Sequence, residues 1–376
     1  MSSDLNPSCD IFCAVIDNLG DAGVCWRLAR QLAREHGWRV RLWIDDPSPL
    51  EKLAPDRQTI PVEVQRWQGD LPAIQPANVV IEAFACELPA AYLAAMAARP
   101  RPPVWLNLEY LSAEEWVAGC HALPSPHPRL PLTKYFFFPG FVHGTGGLLR
   151  ERDFATHCAA PRAGHFVPPV PKNGFHEVTS TLGEALEISL FCYNNPALPA
   201  LLKTWRDGKE LVRCRVADGL PRQQVEDWLG ESFPTGCQHL RGALELHAQP
   251  FLPQDGYDQL LAASQLNFVR GEDSLVRAQW VERPFVWQAY RQVNGAHHAK
   301  LDALLDRYCS ALEAGTAAAT RAFWRAWNGQ GEIASGWPAF RAALPALKAH
   351  APSWARQITA HGDLATNLVK FCQSKL

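Results

Sequence analysis

The feature that most constrains the fold is an alternation of strand and helix patterns that occurs twice along the chain. In the first half, β-rich runs such as residues 10–16 and 38–44 alternate with segments whose apolar residues recur at helical spacing, such as 24–35 and 88–98. In the second half the same order returns, beginning with a strand pattern at 186–192. Strand–helix alternation of this kind predicts parallel sheets covered by helices on both faces.

A stretch rich in proline and glycine separates the two halves. Residues 158–185 contain four prolines and three glycines. Proline fixes φ and removes a backbone donor, so this stretch is predicted to be a connection rather than a helix or strand. From residue 296 onward the pattern is helical, with helices expected at 337–349 and 353–374 among others. We therefore expect three parts, which are a Rossmann-like domain at 1–175, a second at 185–350, and a C-terminal helix at 353–376 that packs back on the first domain.

This layout is that of the α/β GT-B architecture. Two Rossmann-like domains face one another across a cleft in such proteins, and the last helix crosses back to the first domain. A two-domain dehydrogenase or a periplasmic-type binding protein has a similar order of elements. The fold alone does not choose between these functions, so the choice depends on the loops.

Composition excludes several classes of function. The formal net charge is −2, and the sequence has no block of Lys and Arg, so direct binding of nucleic acid is not expected. The 11 cysteines are scattered without C-x-x-C spacing, which favours reduced thiols over disulfides or a zinc site. No secretory pattern opens the chain, and no apolar run reaches the about 20 residues that a membrane-spanning helix requires. We expect a cytoplasmic protein that does not associate with a membrane.

The first informative segment is residues 17–27 (DNLGDAGVCWR), which follows the first strand and opens the first helix. Open α/β sheets bind ligands at such a position, next to the N–H groups of a helix N-terminus. Gly20 and Gly23 are expected to permit close approach of the backbone or a positive φ. Their spacing is G-x-x-G, not the G-x-G-x-x-G of dinucleotide sites. Asp17 and Asp21 would repel a dinucleotide pyrophosphate, which argues against a dehydrogenase.

The alternative for these two aspartates is structural. Asp21 would then be a helix N-cap, and Asp17 would form an Asx-turn. Each aspartate taken alone fits this interpretation better than a catalytic one. The presence of two carboxylates on one strand-to-helix loop favours a functional role over a structural one.

The second informative segment is residues 270–280 (RGEDSLVRAQW), in the equivalent loop of the second half. It is expected to face the first segment across the cleft. Asp273 or Ser274 is a plausible cap that leaves helix N–H groups for a diphosphate. Arg270 can neutralise phosphate charge, and Glu272 can accept hydrogen bonds from a sugar hydroxyl. The alternative is a capping loop with solvated charges.

Other polar and aromatic residues lie at strand ends in the second half. Phe191 and Tyr193 end its first strand, and Phe251 and Gln254 follow another. The aromatic rings could flank a base or a sugar. Aromatic residues at such places more often belong to the core.

The stretches DNLGDAGVCWRLARQLA and RGEDSLVRAQWVERPFVWQ closely resemble the bacterial protein-arginine rhamnosyltransferases that modify elongation factor P. The similarity in layout covers essentially the whole chain. The family commonly has an aromatic residue where this chain has Leu19, which is a mild departure.

The resemblance implies an inverting GT-B enzyme that moves rhamnose from dTDP-β-L-rhamnose to one arginine of elongation factor P. It also implies Asp21 as the catalytic carboxylate with Asp17 as its partner, and Glu272 in the catalytic set as well as in the donor site. No cofactor is expected, and the diphosphate is held without a metal ion. The residues assigned to donor binding are Asn18, Gly20, Phe191, Tyr193, Phe251, Gln254, Arg270, Glu272, Asp273 and Ser274. Among these, the resemblance implies that Phe191, Tyr193 and Phe251 surround the nucleotide. The remaining alternatives are a transferase with another donor or acceptor, a non-catalytic nucleotide-binding regulator, and a scaffold.

Overall fold

The computed structural model describes residues 7–17, 19–69, 74–159, 184–292 and 294–376. The chain divides into two compact units, one formed by Met1–Phe154 with Ile358–Leu376 and the other by Ala155–Gln357. Most of the predicted connection, residues 160–183, lies outside the described residues, as does Asn18.

The first unit is built on a seven-stranded sheet within its described residues. Its strands are β1 Ser8–Cys13, β2 Arg39–Ile44, β3 Val62–Arg66, β4 Val79–Ala83, β5 Val104–Leu108, β6 Pro124–Pro126 and β7 Thr133–Phe137. Their order is β3-β2-β1-β4-β5-β7-β6, and all neighbours are parallel except β6, which pairs antiparallel with β7. β4 and β5 are buried along their whole length, as expected for strands covered on both faces.

Helices cover this sheet. They are α1 Gly20–His36, α2 Ser48–Leu53, α3 Ala90–Ala97 and α4 Trp116–Cys120, with a 3-10 turn at Arg57–Thr59. α1 begins at Gly20 rather than at residue 24, so the Asp21 side chain lies inside its first turn. A short helix, α5 Phe154–Ala159, lies where the two units divide.

The second unit repeats the arrangement on a six-stranded sheet within its described residues. Its strands are β8 Leu186–Leu190, β9 Val212–Val216, β10 Gln238–Arg241, β11 Leu244–Ala248, β12 Leu266–Arg270 and β13 Phe285–Gln288. They lie in the order β10-β11-β9-β8-β12-β13, and β10 alone among these strands pairs antiparallel, with β11. The first strand of each unit, β1 or β8, lies in the interior of its sheet. The loop that follows each of these strands therefore opens at the carboxyl edge of that sheet.

The helices of the second unit pack a strongly aromatic core. They are α6 Leu198–Arg206, α7 Leu220–Leu229, α8 Gln254–Ala263, α9 Asp273–Trp280, α10 Ala296–Tyr308, α11 Ala314–Trp327 and α12 Ile333–Thr359. Phe268 of β12 meets the rings of Trp205 and Trp327 edge-on, at centroid distances of 5.8 and 4.9 Å. These tryptophans are fully buried, which assigns them to the core.

The prediction of separate helices at 337–349 and 353–374 is wrong. α12 runs without a break through Pro338, Pro345 and Pro352. Pro338 and Pro345 are exposed, and Pro352 is half-buried. The carbonyl groups that lose a helical partner at the two exposed prolines can therefore bond to water, while the buried face of the helix maintains its packing.

The last helix is α13 Leu364–Gln373, which belongs to the first unit. Gly362 separates it from α12 with a left-handed φ of 81°. Asp363 caps it, since its Oδ1 accepts the N–H of Thr366 at 3.0 Å and also the side-chain amide of Gln31 in α1 at 3.0 Å. Among the described residues, no helix combines the length and the apolar character that crossing a bilayer would require.

Candidate active site

Asp21 is anchored to the loop that precedes its own helix. Its Oδ2 accepts the backbone N–H groups of Ile16 and Asp17, each at 2.9 Å, and its side chain is buried. The predicted alternative, that Asp21 is the N-cap of α1, is wrong: Leu19 occupies that position, and no side chain caps it. Asp21 instead folds back toward the loop that follows β1 and accepts the N–H groups of that loop. Two hydrogen bonds to one oxygen fix the orientation of the carboxylate.

Burial raises the pKa of Asp21 above the ordinary value of an aspartate. The two backbone N–H groups oppose this effect, and the nearby carboxylates of Asp17 and Asp45 reinforce it. Asp45 follows β2 and accepts the N–H of Val15 at 2.9 Å, so it is tied to the same loop. A carboxylate with a raised pKa is a stronger proton acceptor than an ordinary one.

Gly20 makes room for Asp17. A Cβ placed on Gly20 would lie 2.8 Å from Oδ2 of Asp17, which is closer than real Cβ contacts. The Asp17 carbonyl also accepts the N–H of Gly20 at 2.7 Å. Neither Gly20 nor Gly23 has a positive φ, so of the two alternatives expected for these glycines the left-handed backbone does not occur. Gly20 is needed for close packing of a carboxylate against the helix, and its assignment to donor binding stays a prediction.

The end of β4, the strand beside β1, carries backbone strain. Phe84 and Ala85 both adopt a left-handed conformation, with φ of 57° and 56°. Buried Asn107 at the end of β5 stabilises it, since its Oδ1 accepts the N–H of Ala85 at 3.1 Å. Strain in non-glycine residues clusters at functional sites. Sequence reasoning missed Asn107, whose signal is a polar residue within the otherwise apolar strand β5.

In the second unit, the loop between β12 and α9 is organised by Ser274. The Ser274 hydroxyl accepts the backbone N–H of Arg270 at 3.1 Å and donates to the Arg270 carbonyl. The expectation that Asp273 or Ser274 caps α9 is wrong, because Glu272 holds the N-cap position without a side-chain cap. Ser274 instead closes the loop on itself around Gly271, whose φ is 60°. The backbone of Arg270 is thereby fixed.

The side chain of Arg270 stacks on two aromatic rings. Its guanidinium carbon lies 4.4 Å from the ring centroid of Phe191 and 4.4 Å from that of Tyr193. The structure therefore brings together three residues that the sequence placed in one donor site. It pairs them with one another, whereas we expected the rings to surround the nucleotide.

The other predicted donor residues lie around this loop. The side-chain amide of Gln254, at the start of α8, donates to Oδ2 of Asp273 at 3.3 Å and is buried. Phe251 is half-buried in the segment between β11 and α8. Gln254 and Asp273 are thus joined, which links the first turns of α8 and α9.

A cavity of about 740 Å³ opens beside Tyr193 in the second unit. Its walls include Tyr193, Gln288, Tyr290, His297, Trp327 and Asn328. Gln288 also holds Tyr193, because its Oε1 accepts the Tyr193 N–H at 2.9 Å. Sequence reasoning missed this wall, which forms only when the ends of β8 and β13 are brought to one edge of the sheet. Within the described parts of both units, no group of three or more His, Cys, Asp or Glu side chains is arranged to hold a metal ion.

Comparison with known families decides what kind of protein carries this site. The family model for the elongation factor P rhamnosyltransferase EarP matches residues 9–373. The chain belongs to this family. It is therefore an enzyme, a glycosyltransferase, as the resemblance of its two loops implied.

Individual relatives cover the chain over nearly its whole length. The protein-arginine rhamnosyltransferase of Pseudomonas aeruginosa is 46% identical, over 97% of this chain and 98% of the relative. That of Neisseria meningitidis is 35% identical, over 96% of each. A solved structure that concerns EarP-mediated arginine glycosylation of elongation factor P is similar with a TM-score of 0.66 and 32% identity, over 99% of this chain and 100% of that one.

The Arabidopsis thaliana enzyme UGT89C1, solved with UDP-L-rhamnose, has a TM-score of 0.50 at 10% identity, over 99% of each chain, and shows the fold alone. The α/β class and the GT-B architecture are confirmed.

Proposed function

We propose that the enzyme transfers L-rhamnose from dTDP-β-L-rhamnose to an arginine side chain of elongation factor P, with inversion at the anomeric carbon and without a metal ion. The observation that carries the proposal is the Asp21 carboxylate, which is buried, fixed by two backbone N–H groups and held with a raised pKa at the carboxyl edge of a Rossmann-like sheet. Relatives of this chain are protein-arginine rhamnosyltransferases, and an EarP structure concerns elongation factor P as the protein that is glycosylated.

Asp21 is suited to a guanidinium acceptor. The guanidinium pKa lies above about 12, so a carboxylate cannot remove its proton before the reaction begins. The proton is lost as the bond between nitrogen and the anomeric carbon forms, because that bond acidifies the N–H. A carboxylate also binds the planar guanidinium through parallel hydrogen bonds and directs one nitrogen toward the donor.

The reaction is a single displacement in this proposal. The arginine nitrogen attacks the anomeric carbon, the bond from that carbon to the diphosphate oxygen breaks with its electron pair leaving on dTDP, and Asp21 receives the proton. Asp17 supports the orientation of Asp21, and Glu272 holds the transferred sugar. The departing charge is stabilised by Arg270 and by the N–H groups at the start of α9.

Mass spectrometry of elongation factor P tests the proposal. After incubation with the enzyme and dTDP-β-L-rhamnose, we expect one deoxyhexose adduct on one arginine. The matched control is the acceptor with that arginine replaced by lysine, which should stay unmodified. NMR of the product should show an α linkage, because inversion of a β donor gives α. An adduct formed only from another nucleotide sugar would reject dTDP-β-L-rhamnose as the donor. Nucleotide binding without any adduct would favour the alternative of a non-catalytic nucleotide-binding regulator.

A further inference from the structure

Phe191 and Tyr193 form a rigid aromatic pair at the end of β8. The backbone N–H of Phe191 donates to the carbonyl of Phe268 in β12 at 3.0 Å. The backbone of Tyr193 is held on both sides, by Gln288 through its N–H at 2.9 Å and by Gln224 through its carbonyl at 3.1 Å. Residues two apart on an extended segment point to the same side, which is why both rings reach Arg270 while Cys192 between them is buried.

Neighbouring rings further restrict this pair. Phe191 meets the ring of Tyr257 edge-on at 5.5 Å, and Tyr193 meets the ring of Tyr290 edge-on at 5.4 Å. Burial, with the carboxylates of Asp258 and Asp273, raises the pKa of the Tyr257 phenol, so this ring stays neutral. Both rings that contact Arg270 are thus fixed by backbone hydrogen bonds and by packing.

A stacked guanidinium keeps its hydrogen-bond donors available. All five N–H groups of arginine lie in the plane of the guanidinium, whereas an aromatic ring contacts its face. Arg270 can therefore stack on Phe191 and Tyr193 and still donate to an anion at its edge. Ser274 fixes the backbone of the same residue through the Arg270 N–H at 3.1 Å. Backbone and side chain of Arg270 are both held before any ligand arrives.

We infer that Phe191 and Tyr193 are positioning residues that hold Arg270 for the donor's diphosphate, and that they do not form the binding surface for the base. This inference rests on the proposed function, which supplies the diphosphate. It replaces our expectation from the sequence that these rings surround the nucleotide. The consequence is that loss of either ring weakens contact with phosphate and leaves contact with the nucleoside intact.

A double-mutant cycle measured by calorimetry with dTDP and with thymidine tests this inference. Tyr193→Leu should weaken dTDP binding by about 3- to 30-fold, the range of a cation–π contact, and should change the Kd of thymidine by less than about twofold. In an Arg270→Ala background, Tyr193→Leu should have little further effect on dTDP, because the ring acts through the arginine. Phe191→Leu gives an independent second arm with the same expectations.

Tyr193→Phe is the matched control, since it keeps the ring and loses only the hydroxyl. It should bind dTDP within about threefold of the original protein, as the stacking contact is retained. Melting temperatures of all variants separate loss of contact from loss of fold. Equal weakening of dTDP and thymidine, or additive effects of Tyr193→Leu and Arg270→Ala, would overturn the inference and assign the rings to the nucleoside.

The same experiment separates this inference from the proposed function. A protein that binds UDP and uridine in place of dTDP and thymidine would reject the proposed donor. The cycle repeated with UDP and uridine would then still test the contact between the rings and Arg270. Coupling between Tyr193 and Arg270 in that repeat would support the inference, and additivity would again overturn it.

Discussion

The carboxylate of Asp21 accepts the backbone N–H of Asp17 at 2.9 Å, so the two acidic residues of the first loop are joined through the side chain of one and the main chain of the other. The main chain of Asp17 therefore helps to hold Asp21 in place. The Asp17 carboxylate adds an electrostatic contribution, because it raises the pKa of Asp21. The two residues are expected to respond differently to substitution.

Replacement of Asp21 by Asn should abolish most turnover. The amide oxygen can still accept the N–H groups of Ile16 and Asp17, while the negative charge and the proton acceptor are lost. We expect kcat to fall by about 100-fold or more, the scale of a lost general base, with dTDP affinity near normal and no loss of melting temperature. The control is Asp46→Asn, which removes an exposed carboxylate after β2 and should leave kcat unchanged. If Asp21→Asn retains most activity, the carboxylate serves only the loop.

Replacement of Gly20 by Ala should separate activity from stability. Alanine within a helix normally stabilises by about 0.5–1 kcal/mol relative to glycine. Here the added Cβ would meet the Asp17 carboxylate at 2.8 Å and displace it. We expect kcat/KM to fall without loss of the melting temperature.

Gly336→Ala in α12 is the matched control for Gly20→Ala. The nearest heavy atom to a Cβ there is a ring carbon of Phe323 at 3.5 Å, an ordinary contact. This variant should melt at the same temperature or higher and keep normal kcat/KM. Normal kcat/KM of Gly20→Ala would mean that the position of Asp17 does not matter for the reaction.

The sequence was sufficient to find the two loops because their pattern is local. A strand, a short polar loop and the start of a helix are adjacent in the chain, and this order recurs at Asp21 and at Arg270. Residues that stabilise the first loop and its surroundings from other strands were not predictable in the same way. Asp45, which follows β2, bonds to the first loop, and Asn107 in β5 bonds to the end of β4. Both contacts depend on the strand order β2-β1-β4-β5.

Local rules also failed where packing decides the outcome. Capping preferences favoured Asp21 and Ser274 as caps, yet both side chains bond to the loop that precedes their helix. The sequence predicted a break between helices at 337–349 and 353–374, yet α12 has a buried face and continues without a break to Thr359. For Asp21 and Ser274 a hydrogen bond within the preceding loop outweighs a capping preference of about 0.5–2 kcal/mol. For α12 the packing of its buried face outweighs the helix-breaking tendency of proline.

Activity should persist in excess chelator. In the proposed reaction, Arg270 and the N–H groups at the start of α9 supply positive charge for the departing diphosphate. We expect the initial rate with EDTA to match the untreated rate, measured as dTDP release from dTDP-β-L-rhamnose in the presence of acceptor. A loss of rate that Mg²⁺ or Mn²⁺ restores would contradict the assignment of Arg270 and these amides to the diphosphate.

The ion pair between Arg277 of α9 and Asp258 of α8 should be essential for stability. Their side chains are almost completely buried and meet at 2.8 Å. Arg277→Met leaves a carboxylate buried without its partner, which costs about 3–5 kcal/mol in free energy of unfolding. Arg321→Ala is the control, because its pair with Asp306 is more exposed and should cost at most about 1 kcal/mol. Equal losses in the free energy of unfolding of the two variants, measured by urea denaturation, would show that burial of the Arg277–Asp258 pair does not matter for stability.

The pH dependence of the reaction should report the environment of Asp21. In the proposed reaction the deprotonated carboxylate of Asp21 is the active form, so kcat/KM should fall as pH decreases through its pKa. Because burial and the carboxylates of Asp17 and Asp45 raise that pKa, the acidic limb should lie above the ordinary aspartate value of 3.8. A group whose folded pKa is raised favours the folded state most below its unfolded pKa, and this contribution is lost as pH rises through the folded pKa.

Two measurements test this pH dependence of activity and stability. Asp21→Asn should raise the melting temperature more at neutral pH than at pH near 4, because the original protein bears the cost of a buried charge only when Asp21 is ionised. Asp45→Asn removes one of the neighbouring charges while it keeps an oxygen for the N–H of Val15, so it should move the acidic limb of kcat/KM to lower pH. An acidic limb that stays in place in Asp45→Asn would show that the limb belongs to a group other than Asp21.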